Sequence, residues 1–277
     1  MTRALITNDD GIDAPGLHVL ARAALDAGFD VTVAAPARQS SGTSASIVAA
    51  EEDGRIAIER RELPGLDGVP AYAVRGGPGL VTLIAAHGAF GDPADVVLSG
   101  VNHGANVGRA ILHSGTVGAA LTGGLNGAWG VAVSLDVGMN PAEFHWDAAA
   151  AAAIALLPFL FERPRGTVIN VNAPNRPEHR GVVEAALAPF GIVQTTLTER
   201  HSTHIRLAVE DLPNLPEPGS DAALLAEGWV TLTGIDPVSQ VPLGYDGAAA
   251  SAPPAAERTR RRPPHTVGRP SKNVLRD

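Results

Sequence analysis

Two adjacent carboxylates, Asp9 and Asp10, are the residues of this sequence best suited to chemistry. They follow the short apolar run 4–7 and are followed at once by Gly11. Carboxylates held side by side repel each other, and each raises the pKa of its neighbour unless a cation lies between them. A hard divalent ion such as Mg²⁺ would relieve this repulsion. The stretch 8–11 is also typical of an ordinary turn, so at this point both interpretations stay open.

Three further polar stretches follow apolar runs. The loop 36–44 carries four hydroxyl groups, including that of Ser41, and the loop 99–108 carries Asn102 and Asn106. Hydroxyl and amide oxygens are neutral cation ligands, and amide nitrogens can donate to phosphate oxygens. The segment 114–116 precedes an Ala- and Leu-rich helix, where Ser or Thr caps the helix and the free N–H groups attract anions.

The elements that position these loops follow from the pattern of apolar residues. Buried strands are predicted at 4–7, 30–35, 95–98, 131–135 and 167–172, and helices at 15–28, 80–89, 117–125 and 147–161. This alternation predicts an α/β fold, a Rossmann-like, doubly wound, mainly parallel sheet in three αβα layers. The loops at the carboxyl ends of such strands meet at one edge. We therefore expect four polar groups to converge there: Asp9 with Asp10, Ser41, Asn102 with Asn106, and the segment 114–116.

The pattern changes past Pro174. In segments 191–198 and 203–209 the residue character alternates with a period of two. This pattern predicts a β-rich appendage or an extended hairpin with exposed strand edges. His201 and His204 lie beside these segments and are interpreted as surface residues. The predicted organisation is a core over 1–175, a β-rich part over 176–247 that completes the fold and makes oligomer contacts, and a disordered basic tail over 248–277.

Composition narrows the functional classes. The 277-residue chain has no cysteine, which excludes disulfides and thiolate metal sites. Its net charge is −8, yet residues 251–277 carry seven basic against two acidic side chains, so the remainder is strongly acidic. An acidic globular part argues against broad nucleic-acid binding, although the arginines at 260–262 leave open a weak contact with polyanions. The start of the chain shows no export signal and no apolar run is long enough to span a bilayer, so we expect a cytoplasmic protein with no membrane contact.

Several short stretches, in this order, resemble the SurE family, the survival-protein phosphatases that act as 5′/3′-nucleotidases. They are Asn8-Asp9-Asp10-Gly11, Ala14-Pro15-Gly16, Ala35-Pro36 with Arg38 and Ser41-Gly42, Ser99-Gly100-Val101-Asn102, Asn106-Val107-Gly108 and Ser114-Gly115-Thr116-Val117. The resemblance covers residues 1–172 closely and resumes loosely at 219–233.

The resemblance implies one divalent metal ion per subunit, Mg²⁺ or Mn²⁺, held by Asp9, Asp10, Ser41 and Asn102. It implies hydrolysis of nucleoside 5′- and 3′-monophosphates by metal-activated water, in dimers or tetramers that exchange C-terminal elements. By position, Asn106, Ser114, Gly115 and Thr116 would bind the phosphate. We assign the proton-accepting role to one of the two aspartates.

The chain departs from the family pattern at Leu80, where family members usually carry an acidic residue. An acidic side chain there could bind a sugar hydroxyl, so leucine predicts loose preference for the leaving group. The alternative is that Leu80 fills core space and the pocket lies elsewhere.

Other functional classes fit less well. A dinucleotide-dependent oxidoreductase would need a Gly-x-Gly-x-x-Gly turn after the first strand, which is absent. A phosphatase with Asp9 as covalent nucleophile would usually carry a second aspartate where this chain has Gly11. A metal- or nucleotide-binding regulator without turnover remains the alternative from a different class.

Overall fold

The structure is a computed structural model that describes residues 1–48, 51–52, 54–138, 141–189, 193–200, 205–211, 216–236, 238–240 and 242. The strands within these ranges are β1 (Arg3–Thr7), β2 (Asp30–Pro36), β3 (Glu51–Glu52), β4 (Arg55–Ile56), β5 (Ile58–Arg61), β6 (Ala71–Val74), β7 (Val96–His103), β8 (Trp129–Asp136), β9 (Val168–Pro174), β10 (Val182–Glu184), β11 (Val193–Arg200), β12 (Ile205–Asp211) and β13 (Val230–Ile235). The helices are α1 (Pro15–Asp26), α2 (Pro78–Ala86), α3 (Gly115–Leu125), α4 (Trp146–Phe161) and α5 (Asp221–Ala226), with a 3₁₀ turn over Gly108–His113.

Nine of the described strands form one sheet in the order β10-β13-β9-β8-β7-β1-β2-β6-β5. The central strands from β9 to β6 are parallel to one another, whereas β13 and β5 pair antiparallel with β9 and β6. The predicted mainly parallel α/β sheet is therefore confirmed. The predicted hairpin is also confirmed, as β11 and β12 pair antiparallel in a sheet of their own.

Helices cover both faces of the sheet, because both faces of the central strands are apolar. On β1, Ile6 belongs to the cluster that includes Leu17 of α1 and Leu157 of α4. The neighbouring Leu5 faces the other way and packs in a cluster with Val81 of α2. Alternate residues of one strand thus contribute to both apolar interfaces of a three-layer domain, one on each face of the sheet.

Strand β7 is longer than the sequence predicts. Residues from Ser99 onward were expected to form a loop, but β7 continues to His103 and pairs with β8 beyond a register shift. Ser99 and Val101 are buried, and Gly100 makes this possible because its φ is +146° and a Cβ there would lie 2.3 Å from the carbonyl oxygen of Val133. Asn102 consequently lies on a strand rather than in a loop.

Residues Met1–Ser239 form one compact unit. Within it, β13 and β10 extend the sheet beyond β9, so the segment after residue 176 adds strands to the core sheet. The division at residue 175 stays a prediction. The predicted basic tail over 248–277, His201 and His204 lie outside the described residues. Among the residues described, no helix is long and apolar enough to cross a membrane.

Candidate active site

The loop between β1 and α1 holds the two carboxylates in a fixed turn. The buried side chain of Asn8 donates from Nδ2 to the carbonyl oxygen of Gly11 (3.0 Å) and accepts from the Gly11 amide at Oδ1 (3.1 Å). The turn interpretation of this stretch therefore describes its backbone correctly. The same turn leaves Asp9 and Asp10 adjacent at the carboxyl edge of the sheet, as the sequence predicts.

Asp9 is buried, with 4% of its surface exposed. Its Oδ1 accepts a hydrogen bond from the hydroxyl of Thr116. Burial raises the pKa of Asp9, the charge of Asp10 raises it further, and the hydrogen bond from Thr116 only partly opposes these effects. An ionised Asp9 is therefore costly unless a cation is close by.

The N-terminus of α3 lies directly against Asp9. Ser114 caps this helix, since its Oγ accepts from the amide of Val117 (3.1 Å). A Cβ added at Gly115 would lie only 2.8 Å from the Cβ of Asp9 and 2.9 Å from its Oδ2. The predicted phosphate-binding residues Ser114, Gly115 and Thr116 are thus brought to the carboxylate, with the positive end of the helix dipole towards it.

Asp10 and Ser41 are connected through Gln39, a residue that sequence reasoning did not single out. The Nε2 of Gln39 lies 3.3 Å from Oδ1 of Asp10 and 3.0 Å from Oγ of Ser41. The second oxygen of Asp10, Oδ2, accepts from the backbone amide of His103 (3.1 Å). Gln39 stands in the same polar loop as Ser41, but its residue type gave no signal that it would reach Asp10.

The two asparagines of the segment 99–108, Asn102 and Asn106, have different surroundings. Asn102 lies near the end of β7 and donates from Nδ2 to the carbonyl oxygen of Gly104 (2.7 Å), which leaves its carbonyl oxygen for another partner. Asn106 donates from Nδ2 to the hydroxyl of Ser134 (2.8 Å), so its side-chain nitrogen is directed at β8. In addition, the amide of Asn106 donates to Oδ1 of Asn172 (2.7 Å). The phosphate role of Asn106 stays a prediction.

A buried carboxylate far along the chain holds the same loop. Asp221 is fully buried and accepts from the amides of Gly108 (2.8 Å), Ala188 (2.9 Å) and Ala222 (2.8 Å). It fastens the turn that leads into the Ser114 segment to the C-terminal part of the domain. The sequence placed Asp221 in a stretch that loosely resembles the family, but gave it no role.

Leu80 has an exposed fraction of 6% and lies at the start of α2. A Cβ added at Gly76 would lie only 2.7 Å from the Cδ2 of Leu80. A cavity of about 430 Å³ lies beside Asp10, and Leu80 is not part of its lining. This placement favours the alternative in which Leu80 fills core space.

The donor set at this edge consists of oxygens. In the part of the chain that the structure describes, no three or more His, Cys, Asp or Glu side chains cluster as metal ligands. The candidates are instead the carboxylates of Asp9 and Asp10 with the neutral oxygens of Ser41 and Asn102. Hard cations such as Mg²⁺ and Mn²⁺ prefer such ligands, and the raised pKa of the buried Asp9 is the condition that a bound cation would relieve. The residues present therefore fit a divalent metal.

Known proteins resemble this chain over most of its length. The family model for the survival protein SurE matches residues 4–202. A protein of Methanopyrus kandleri named 5′-nucleotidase SurE is 36% identical over 242 residues, which cover 83% of this chain and 90% of that protein. The chain belongs to the SurE family. A second SurE relative, the 5′-nucleotidase SurE of Solidesulfovibrio magneticus, is 36% identical over 263 residues, covering 90% of this chain and 94% of that protein.

A solved SurE structure shares the fold. The crystal structure of the SurE protein from Aquifex aeolicus matches with a TM-score of 0.70 at 24% identity, and the match covers 86% of this chain and 94% of that one. The family resemblance inferred from the sequence is therefore confirmed, and so is the fold.

Proposed function

We propose that this protein is a phosphomonoesterase that hydrolyses nucleoside 5′- and 3′-monophosphates to nucleoside and phosphate, with one divalent metal ion per subunit. The observation that carries the proposal is the buried Asp9, adjacent to Asp10 and packed against the N-terminus of α3. The name 5′-nucleotidase SurE, which both relatives carry, supports the choice of nucleotides as substrates.

In this proposal the metal ligands are Asp9, Asp10, Ser41 and Asn102. When bound, the ion would polarise the phosphate ester and make a water molecule nucleophilic at neutral pH. The hydrogen bonds from the Gln39 side chain and from the His103 amide hold Asp10 in place, and neither of them involves Asp9. Thr116 orients Asp9 in the same way from the other side.

The phosphate would lie at the N-terminus of α3. Backbone amides at a helix N-terminus can donate to anionic oxygens, and the helix dipole favours negative charge. The absence of a Cβ at Gly115 leaves room for Asp9 beside this helix end. Asp9 or Asp10 then accepts the proton of the attacking water.

We propose direct attack by water rather than by a serine. The hydroxyl of Ser114 caps α3 and that of Ser41 contacts Gln39, so each has a structural partner. A phosphoserine trapped by rapid quench at either position, together with a burst of product, would contradict this assignment.

The first experiment is steady-state phosphate release from 5′-AMP and 3′-AMP by the full chain. We expect turnover with Mg²⁺ or Mn²⁺ added, loss of turnover with excess chelator, and recovery when metal is restored, because the paired carboxylates need the ion. Full activity in a chelated, metal-free preparation would refute the metal requirement. Nucleotide binding without any phosphate release would favour the regulator without turnover.

We further propose that the protein is a dimer or larger, with residues 191–209 at the interface. Strands β11 and β12 pair with each other apart from the main sheet. A lone two-stranded hairpin is marginally stable, and its open edges readily pair with another chain. Light scattering at micromolar concentration should give at least twice the mass of one chain, and a monomeric mass would contradict the proposal.

The cytoplasmic location stays a prediction from the sequence.

A further inference from the structure

The cavity beside Asp10 lies next to the proposed metal site. It holds about 430 Å³, a volume within the range of small-molecule sites. Asp10 and Gln39 line one part of it, and His103 and Trp146 line another. The start of α1 at Pro15 and Gly16 completes the lining on a third side. Because Asp10 belongs to both, the cavity is open to the remaining part of a ligand whose phosphate binds at the proposed metal site.

Two residues that line the cavity, His103 and Trp146, contact a third aromatic side chain, that of Phe144. Phe144 and Trp146 are stacked, with ring centroids 5.2 Å apart and planes 12° from parallel. The ring of His103 is tilted against both, at 5.4 Å from Phe144 and 6.1 Å from Trp146. We refer to His103, Phe144 and Trp146 as the aromatic trio.

The trio is connected directly to the proposed site. His103 donates its backbone amide to Oδ2 of Asp10 (3.1 Å) and follows Asn102 in β7. His103 therefore connects the trio to Asp10 and, along β7, to the proposed ligand Asn102. A nucleoside monophosphate joins its base to its phosphate through a single sugar, so a base bound at the trio and a phosphate bound near Asp10 would belong to one molecule.

Core packing explains only part of the trio. Trp146 packs against the main apolar cluster and faces Gly16, where an added Cβ would lie 3.3 Å from its ring. Phe144 lies outside the core clusters, and 42% of its surface is exposed. Exposed aromatic rings are the surfaces on which proteins stack planar bases.

We propose that the aromatic trio is the nucleobase subsite of this enzyme and binds the base of a nucleoside monophosphate by stacking. The inference rests on the proposed function and adds a location for the base. Stacking uses the faces of the rings, which all bases share, so the subsite accepts purines and pyrimidines alike. This gives a physical basis for hydrolysis of several nucleotides that does not depend on Leu80.

The test compares 5′-AMP with ribose 5-phosphate, which has the same phosphate and sugar but no base. In Phe144→Ala, the ratio of kcat/KM for 5′-AMP to that for ribose 5-phosphate should fall about tenfold, an effect typical of one lost stacking partner. Phe144→Tyr keeps an aromatic ring at this position and should therefore keep the ratio of the wild type. The matched control is Phe159→Ala, because Phe159 is also 42% exposed but lies on α4 with Arg163 over its ring. A ratio within twofold of the wild type in Phe144→Ala would overturn the inference.

A binding measurement separates this inference from the proposed function. Adenosine carries the base but has no phosphate to hydrolyse, so its equilibrium dissociation constant is independent of turnover. We expect Phe144→Ala, but not Phe159→Ala, to weaken adenosine binding about tenfold. Absence of adenosine binding to the wild type would overturn the subsite, whereas adenosine binding without phosphate release from any nucleotide would leave the subsite standing and refute the hydrolase.

Discussion

Replacement of Asp9 or Asp10 by asparagine is expected to lower kcat for 5′-AMP by roughly a thousandfold or more, since each substitution removes an anionic ligand of the proposed ion. The shape of the side chain is kept, and in Asp9→Asn the carbonyl oxygen of the new amide can still accept the hydrogen bond from Thr116. The measurement is steady-state phosphate release at saturating substrate with Mg²⁺ and with Mn²⁺.

The control for this prediction is Asp92→Asn. It also removes one negative charge, but Asp92 is exposed and pairs with Arg3 at the amino end of β1 (2.6 Å), at the opposite edge of the sheet. We expect its kcat to match the wild type. If Asp9→Asn and Asp92→Asn had the same kcat, the buried carboxylate would have no part in the reaction.

The Asp9→Asn variant also reports on the stability of the fold. Because the pKa of Asp9 is raised above 3.8 in the folded chain, this residue favours folding while protonated, and that contribution is lost as the pH rises through its folded pKa. Asparagine never ionises, so metal-free Asp9→Asn should have a Tm at neutral pH no lower than that of the metal-free wild type. A low kcat with an unchanged Tm separates loss of chemistry from loss of structure.

The second large effect is expected from Gly115→Ala. The new Cβ would lie 2.8 Å from the Cβ of Asp9, closer than two such carbons approach, and the short Asp9 side chain is held by Thr116 and cannot turn away. Either the N-terminus of α3 or Asp9 must shift. A displacement of this kind at a catalytic group costs about a hundredfold in kcat/KM.

The matched control is Gly234→Ala. Gly234 lies in β13, and an added Cβ there meets no heavy atom within 4 Å. Both variants make the same chemical change, so a difference in kcat/KM reflects the position of Gly115. Activity of Gly115→Ala within threefold of the wild type, with unchanged Tm, would show that the approach of α3 to Asp9 is not needed for catalysis.

Much of the fold follows from local features of the sequence. Apolar runs of strand length alternate with helices of 3.6-residue period, and that alternation allows few arrangements other than a parallel sheet covered on both faces. In such a sheet, the loops after the strands must share an edge. This is why the sequence predicts correctly that Asp9 lies beside the Ser114–Thr116 segment, although more than 100 residues separate them.

Other features depend on contacts that no local pattern encodes. The extension of β7 to His103 required a close approach of Gly100 to Val133, which depends on the register with β8. Gln39 reaches both Asp10 and Ser41 because its loop lies against the turn after β1, where the Ser40 amide donates to the carbonyl oxygen of Asp9 (2.7 Å).

The sequence by itself determined the α/β class and the carboxylate pair on which the proposed chemistry depends, because residue type and spacing along the chain are sufficient for both, and its motifs resembled the SurE family. Only the tertiary structure decided that Thr116 donates to Asp9, that Asp221 fastens Gly108 across 113 residues, and that Phe144 stacks on Trp146, which lines the cavity beside Asp10. These side chains come from elements far apart in the chain, and their meeting depends on how strands and helices pack, which periodicity does not specify.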